Sequence, residues 1–252
     1  MRAVGWAAAC TAGVLALTGC VERPATDRPS FVDAEDLPEK LGEDGTTVVV
    51  GDGDAVVTVH LYEDPRCPVC REFEFDGGGP ALEDAMLRRE ASAEYTFASF
   101  LDIRAGGNGS KKAVNALRAA LELGKFVEFH EVLYANQPDE EVDGYTDDFL
   151  LKIAEQVEGL RGPEFDAAVR TMKYRSFVVA SQKAYERAGG EKEPKGPGTP
   201  TAVINGKRIP VEHQGFLMDR RGFGDVLKLI LGNPAGWDAT QLGEPAPGEV
   251  SR

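Results

Sequence analysis

Two cysteines separated by two residues, just after a valine-rich segment, constrain this chain more than any other feature. Cys67-Pro68-Val69-Cys70 follows the apolar run from Ala55 to Tyr62. Pro68 suits the first turn of a helix, where its missing N–H is not needed. Two cysteines at this spacing at a helix start can be neighbours in space and cycle between dithiol and disulfide. The partial positive charge of the helix N-terminus would stabilise a Cys67 thiolate, which is the form that attacks a disulfide.

The first residues predict export. Arg2 precedes an apolar, alanine-rich stretch that ends in Leu17-Thr18-Gly19-Cys20. This is the pattern of a lipoprotein signal peptide, so we expect residues 1–19 to be removed and Cys20 to be lipidated. Cys10 lies inside this leader, so Cys67 and Cys70 are the two thiols left to the folded domain. The predicted location is the outer face of a bacterial cytoplasmic membrane, a compartment that permits disulfides.

The charge of the chain excludes some classes of partner. The formal net charge is −14, which argues against nucleic acid, because phosphate binding needs clustered basic residues. It also argues against adsorption to anionic lipid, so the lipid anchor would hold the protein at the membrane.

The pattern of apolar and turn-forming residues predicts one domain. We expect a flexible tether over residues 20–45, a folded domain over 46–232 and a disordered tail over 233–252. Within the domain, strands are predicted over 46–50, 55–62, 95–103, 201–204 and 207–211. Residues 106–190 are predicted to be all-helical, with one long helix running from Pro163 to near Gly189.

At this point the sequence resembles the DsbA-like branch of the thioredoxin superfamily. The residues that carry the resemblance are the Cys67–Cys70 motif, the helical insertion and Gly198-Thr199-Pro200-Thr201, which leads into a strand and the Asn205-Gly206 turn. The resemblance implies an α/β, thioredoxin-like fold, in which a central mixed sheet is flanked by helices and interrupted by an all-helical domain. It also implies a cis peptide bond before Pro200, which would place this loop against the cysteines.

The function implied by the resemblance is thiol–disulfide exchange with exported proteins. Cys67 and Cys70 would be the catalytic, redox-active pair, with Cys67 as the nucleophile. Thr199 and Pro200, together with Pro68 and Val69, would contact the substrate, with Thr199 pairing to an extended segment. An oxidase would need a quinone-linked membrane partner and a reductase a membrane thiol donor. No cofactor or metal is predicted, and we expect a monomer.

The sequence departs from the family pattern in two places. The position six residues before the first cysteine, acidic in several members, is Leu61 here, so its proton-shuttling role is missing or falls to Glu63 or another group. Val69 stands where strongly oxidising members often carry a histidine that helps to hold the thiolate. Arg66 could compensate in part, because a neighbouring cation lowers a thiol pKa. We therefore predict a less extreme oxidant, with a Cys67 pKa not below about 4.

Other interpretations of the motif remain open to different degrees. The sequence leaves the direction of electron flow undecided, so a disulfide reductase or isomerase is an alternative to an oxidase. A lipoprotein that recruits clients, with a merely structural cysteine pair, is another. A zinc site is disfavoured because there is no second cysteine pair and His60, His130 and His213 are scattered. These histidines are interpreted as ordinary surface or core residues.

Overall fold

The computed structural model describes residues 28–243 and contains a six-stranded mixed sheet. The strands lie in the order β1-β2-β4-β3-β5-β6. Strands β3 and β4 are parallel, and the remaining neighbours are antiparallel. The bounds are Glu39–Leu41 (β1), Val48–Gly51 (β2), Val57–Glu63 (β3), Ala91–Phe97 (β4), Thr201–Ile204 (β5) and Lys207–Arg208 (β6). Helices lie on both sides of the sheet, and this arrangement confirms the predicted α/β, thioredoxin-like fold class.

Nine α-helices accompany the sheet within these residues. They are Pro68–Phe75 (α1), Gly79–Leu87 (α2), Leu101–Arg104 (α3), Gly109–Glu122 (α4), Phe126–Ala135 (α5), Asp147–Ile153 (α6), Pro163–Thr171 (α7), Arg175–Gly189 (α8) and Arg220–Gly232 (α9). Helices α3 to α8 lie between β4 and β5 in the chain. The Phe97 amide at the end of β4 donates to the buried Ser181 hydroxyl of α8 over 2.9 Å, which fastens this helical block to the sheet.

The central strand β3 carries the chain towards the two cysteines. Its residues alternate between fully and partly buried, so Leu61 and Glu63 share the buried face, while His60 and Tyr62 lie on the other. One face of β3 is therefore fully buried and the other only partly. The ends of β3 and β4 coincide, with Glu63 paired to Phe97. The loops after both strands therefore meet at one edge of the sheet.

Two predicted elements end earlier than the sequence suggested. Strand β4 stops at Phe97, because Leu101 starts helix α3 with its amide bonded to the Asp64 carboxylate over 3.1 Å. The long helix predicted from Pro163 divides into α7 and α8 at Met172. That residue adopts a left-handed conformation with φ of 51°, which closes α7 and cannot continue a right-handed helix.

The prediction of a flexible tether is wrong for residues 28–45. Residues Ala34–Asp36 form a 3-10 helix, Leu37 is buried, and β1 pairs with β2. The Glu39 carboxylate accepts the Phe126 and Val127 amides at the start of α5, over 2.9 and 3.0 Å. These contacts join chain segments far apart in sequence and make the region part of the domain.

The prediction of a disordered tail is likewise wrong for residues 233–243. Trp237 and Leu242 are both buried in the core. The Lys207 ammonium donates to the Trp237 carbonyl, and the side-chain amide of Asn205 donates to the Pro234 carbonyl over 3.3 Å. The predicted signal peptide (1–19), the lipidation site Cys20 and residues 244–252 lie outside the described residues. Between residues 28 and 243, no helix combines the length and apolarity needed to cross a bilayer.

Candidate functional site

Both cysteines lie at the first turn of α1. Cys67 is the residue that precedes the helix, and Pro68 is its first helical residue. Two backbone hydrogen bonds fix the chain around the first turn of α1. The Cys67 amide donates to the Asp64 carbonyl over 2.8 Å, and the Cys70 amide donates to the Cys67 carbonyl over 3.1 Å. Both thiols are free. Cys67 keeps 7% of its surface exposed and Cys70 none, so an incoming sulfur can reach only the first cysteine.

The two thiols have opposite acidities. The Cys70 thiol and the Cys70 and Val69 amides donate hydrogen bonds to the Cys67 sulfur, and lower its pKa to about 6 despite its burial. Burial raises the pKa of Cys70 well above its ordinary value. The reduced pair is therefore a thiolate at Cys67 beside a thiol at Cys70, which is the state that suits a nucleophile and a resolving thiol.

The loop before β5 closes over the first cysteine. The Thr199–Pro200 peptide bond is cis, and the Cys67 sulfur lies 3.4 Å from the Thr199 carbonyl oxygen, to which it donates when the thiol is protonated. Pro200 is buried, and Thr199 is half-buried. The neighbouring Gly198 amide donates to the Tyr185 hydroxyl of α8 over 3.1 Å. The fold thus brings Thr199 and Pro200 to the cysteines, and leaves Pro68 and Val69 exposed beside them.

The Arg66 guanidinium does not stabilise the Cys67 thiolate. The prediction that Arg66 could compensate in part for the missing histidine is therefore wrong. Its guanidinium is buried and donates to the Asp102 carboxylate over 3.2 Å and to the Gly106 and Glu140 carbonyls over 2.7 Å each. These partners lie in the helical block. Arg66 therefore anchors the loop before the cysteines to that block, and Gln137 adds two bonds to the Pro65 and Cys67 carbonyls.

A buried polar cluster lies behind the cysteines. It consists of Glu63, Glu74, His130 and Tyr134. His130 Nε2 and the Tyr134 hydroxyl lie 3.1 and 3.2 Å from one Glu63 carboxyl oxygen, with the tyrosine donating. Glu63 also contacts Glu74 of α1. Glu63 occupies the position two residues beyond Leu61 on the same face of β3, so an acidic group is present although the usual position is apolar.

Burial keeps the ionisable groups of this cluster uncharged near neutral pH. Desolvation raises the pKa of Glu63 to about 8 and the pKa of Glu74 well above its ordinary value, while it lowers the pKa of His130. One ligand atom from each of these three residues lies within 4.8 Å of the others. The charge of Glu63 interacts electrostatically with both thiols.

Sequence reasoning named Glu63 as a possible substitute but missed Glu74, His130 and Tyr134. Helical spacing could have indicated two of these contacts. Glu74 lies four residues after Cys70, on the same face of α1, and Tyr134 lies four residues after His130 on α5. Nothing in the sequence indicates that α5 packs against α1 at this point, so His130 was interpreted as an ordinary histidine.

Comparison with known proteins identifies the family of the chain. The model of a family described as Thioredoxin matches residues 43–217, which is more than half of the chain. Disulfide bond formation protein D of Bacillus subtilis (strain 168) is 29% identical over 163 residues, covering 64% of this chain and 68% of that protein. The predicted enzyme class, thiol:disulfide oxidoreductase, agrees with such relatives.

Solved structures show the same fold. BdbD from Bacillus subtilis, in its oxidised form, superposes with a TM-score of 0.61 at 22% identity, covering 73% of this chain and 92% of that one. MdbA of Corynebacterium diphtheriae, a thiol-disulfide oxidoreductase, gives 0.58 at 19% identity over 81% and 97% of the two chains. Reduced DsbA from Mycobacterium tuberculosis gives 0.58 at 21% identity over 78% and 99%. The chain therefore belongs to the thioredoxin family, with a helical block inserted between β4 and β5.

Proposed function

We propose that this protein is a membrane-anchored, extracytoplasmic thiol:disulfide oxidoreductase that oxidises exported proteins through Cys67 and Cys70. The observation that carries the proposal is the asymmetry of the two thiols at the start of α1. Because the pKa of Cys67 is lowered to about 6, the thiolate stabilises the reduced pair at neutral pH. A stabilised reduced form makes the disulfide a better oxidant.

In the oxidising direction, a substrate thiolate attacks the sulfur of Cys67 in the disulfide. The Cys67–Cys70 bond breaks, and Cys70 leaves with the electron pair. Because Cys70 is fully buried and its pKa is raised, it has to be protonated as it leaves. Glu63, with a pKa of about 8, holds a proton at neutral pH and can supply it.

The second step releases the substrate. Another substrate thiolate attacks the substrate sulfur of the mixed disulfide, which forms the substrate disulfide, and Cys67 leaves as its stabilised thiolate. The substrate has then lost two electrons and the Cys67–Cys70 pair has gained them. In the reducing direction the same steps run backwards, and a Glu63 carboxylate accepts the proton of Cys70 as that thiol attacks.

The substrate contacts would lie around the exposed rim of the pair. Pro68 and Val69 offer an apolar surface next to Cys67, with Val69 43% exposed. Thr199 would pair with an extended substrate segment, as an added strand beside the Pro200 loop. Substrate backbone would thereby be held while its sulfur reaches Cys67.

The location and partners are part of the proposal. The leader and Cys20 support a lipid-anchored protein outside the cytoplasmic membrane, where unfolded exported chains carry free thiols. An oxidase that turns over needs an electron acceptor, and we propose a quinone-linked membrane protein. A membrane thiol donor would take that place if electrons flow the other way.

The reduction potential of the Cys67–Cys70 pair tests this function. It is measured by equilibration with glutathione, on a soluble form that begins after Cys20. A value well above about −200 mV supports the oxidase, and a value near −270 mV, where thioredoxin lies, assigns a reductase. If the pair does not equilibrate with glutathione, or if a Cys67→Ser, Cys70→Ser double variant keeps the cellular function, the protein is a binding module instead.

A further inference from the structure

A groove between α4 and α8 lies outside the site described above. It encloses a cavity of about 550 Å³ whose apolar floor includes Met172, Val178 and Val179. Val179 is 49% exposed and so leaves apolar surface open to a ligand in this cavity. We call this feature the α4–α8 groove.

The rim of the α4–α8 groove is basic, although the chain has a net charge of −14. Its four cations are Lys111, Lys112, Arg175 and Lys183. Lys111 and Lys112 lie 3.8 and 3.1 Å from the carboxylates of Asp102 and Asp147. Among the residues that the structure describes, the side chains of Arg175 and Lys183 form no ion pair or hydrogen bond, and both are exposed. The single acid on the rim, Glu186, accepts a hydrogen bond from Gln182 over 2.9 Å.

Helix stability does not account for these cations. Lys111 and Lys112 lie in the first turn or so of α4, and Arg175 is the first residue of α8. A helix N-terminus carries partial positive charge and favours acidic side chains, so cations there are mildly destabilising. The positive ends of α4 and α8 add to the rim charge and make the groove attractive to an anionic group.

Helix α8 connects the groove with the loops beside the candidate active site. Gln182, which lines the groove, accepts the Ser99 amide over 2.6 Å just after β4. One turn further on, Tyr185 stacks on Phe100, with ring centroids 5.6 Å apart, and accepts the Gly198 amide beside Pro200. With a rise of about 1.5 Å per residue, Val178 and Arg175 lie roughly 10 and 15 Å along α8 from Tyr185. An extended peptide covers that distance in about three to five residues.

We infer that the α4–α8 groove binds an extended substrate segment that carries acidic and aliphatic side chains three to five residues from its reacting cysteine. The aliphatic side chains would cover the floor at Met172 and Val179, and the carboxylates would face Arg175 and Lys183. Such a contact adds a preference for particular exported proteins to the backbone pairing at Thr199. This inference rests on the proposed function, because it assigns substrate selection to the same exchange reaction.

Two single-cysteine peptides test the inference. One carries Glu and Val from three to five residues on either side of the cysteine, and the other carries Gln and Val at the same places. The rate constant for reduction of the Cys67–Cys70 disulfide is measured with each peptide at low and high salt. We expect the acidic peptide to react roughly tenfold faster at low salt, and this advantage to shrink as salt screens the charges.

An Arg175→Glu, Lys183→Glu variant should remove or invert the acidic advantage while leaving the rate with the neutral peptide unchanged. The matched control is Lys40→Glu, Lys228→Glu, which changes the net charge equally on β1 and α9, away from the groove. Equal rates for both peptides in the unsubstituted protein, or the same loss in the control, overturn the inference.

Two further results distinguish this inference from failure of the proposed function and from binding of the groove to a membrane. If neither peptide is oxidised, the proposed function itself fails and the inference fails with it. If the groove variant weakens binding to phosphatidylglycerol vesicles but leaves the ratio of peptide rates unchanged, the groove faces a membrane and the inference is overturned.

Discussion

Removal of the Cys70 thiol should raise the pKa of Cys67 measurably. The hydrogen bond from Cys70 is the largest cause of the lowered Cys67 pKa. A hydrogen bond to a charged acceptor contributes about 1.5–3 kcal/mol, and each pKa unit corresponds to about 1.36 kcal/mol. Cys70→Ala should therefore raise the pKa of Cys67 by about one to two units, from about 6 towards 7–8. The thiolate fraction at pH 7 would fall from roughly nine-tenths to between a tenth and a half.

The assay is the thiolate absorbance at 240 nm, followed as a function of pH in the reduced protein. Iodoacetamide alkylation rates give an independent titration of the same thiol. Cys70→Ser is the matched control, since its hydroxyl can still donate, and its pKa should rise less than that of Cys70→Ala. A Cys70→Ala protein that titrates within a few tenths of a unit of the unsubstituted one would refute the reasoning. The Thr199 side chain and the Cys70 and Val69 backbone amides would then set the pKa.

Three further outcomes follow from the same structure. Attack on a disulfide requires the Cys67 thiolate, and the pKa of Cys67 is lowered to about 6. The rate at which the reduced protein attacks a disulfide should therefore level off above about pH 6 and fall about tenfold per pH unit below it. A stopped-flow pH profile with an apparent pKa near about 9 would contradict this. Glu63→Gln should slow Cys70-dependent resolution of a mixed disulfide by about 10–100-fold, with exposed Glu72→Gln of α1 as the control; equal quenched-flow rates for both variants would exclude a proton-transfer role for Glu63. Ser181→Ala leaves the buried Phe97 amide without its acceptor and should lower the free energy of unfolding by about 1–3 kcal/mol. The control variant, Ser176→Ala on the exposed face of α8, should lower it by less than about 0.5 kcal/mol. Urea denaturation measures this last pair, and equal losses would show that the Ser181 bond does not hold the helical block.

The local signals in the sequence were sufficient to predict the redox pair and much of the fold. Pro68 at the first helical position places the cysteines at the start of α1, and the apolar run before them forms the central strand β3. Thr146 caps α6 by accepting the Phe149 amide, and Asn205-Gly206 forms the turn between β5 and β6. Each of these features depends on residues within a few positions of one another, so a short stretch of sequence contains the whole cause.

Other features depended on contacts between distant segments. Asp102 and carbonyls of the helical block bind the guanidinium of Arg66. A cation adjacent to Cys67 in sequence therefore does not stabilise the Cys67 thiolate in the folded protein. Residues 28–45 are polar and proline-bearing, yet Leu37 and Glu39 find partners in the core and on α5. A composition that is typical of a linker does not record those partners.

The sequence by itself therefore determined which two residues we propose for the redox chemistry, because a CxxC pair at a helix start is a local arrangement. Only the tertiary structure decided which ionisable groups surround the two thiols. It places Glu63 from β3, Glu74 from α1 and His130 from α5 in one buried cluster behind Cys70. The raised pKa of each carboxyl comes from desolvation, which depends on everything packed around the group and is absent from any single segment of the chain.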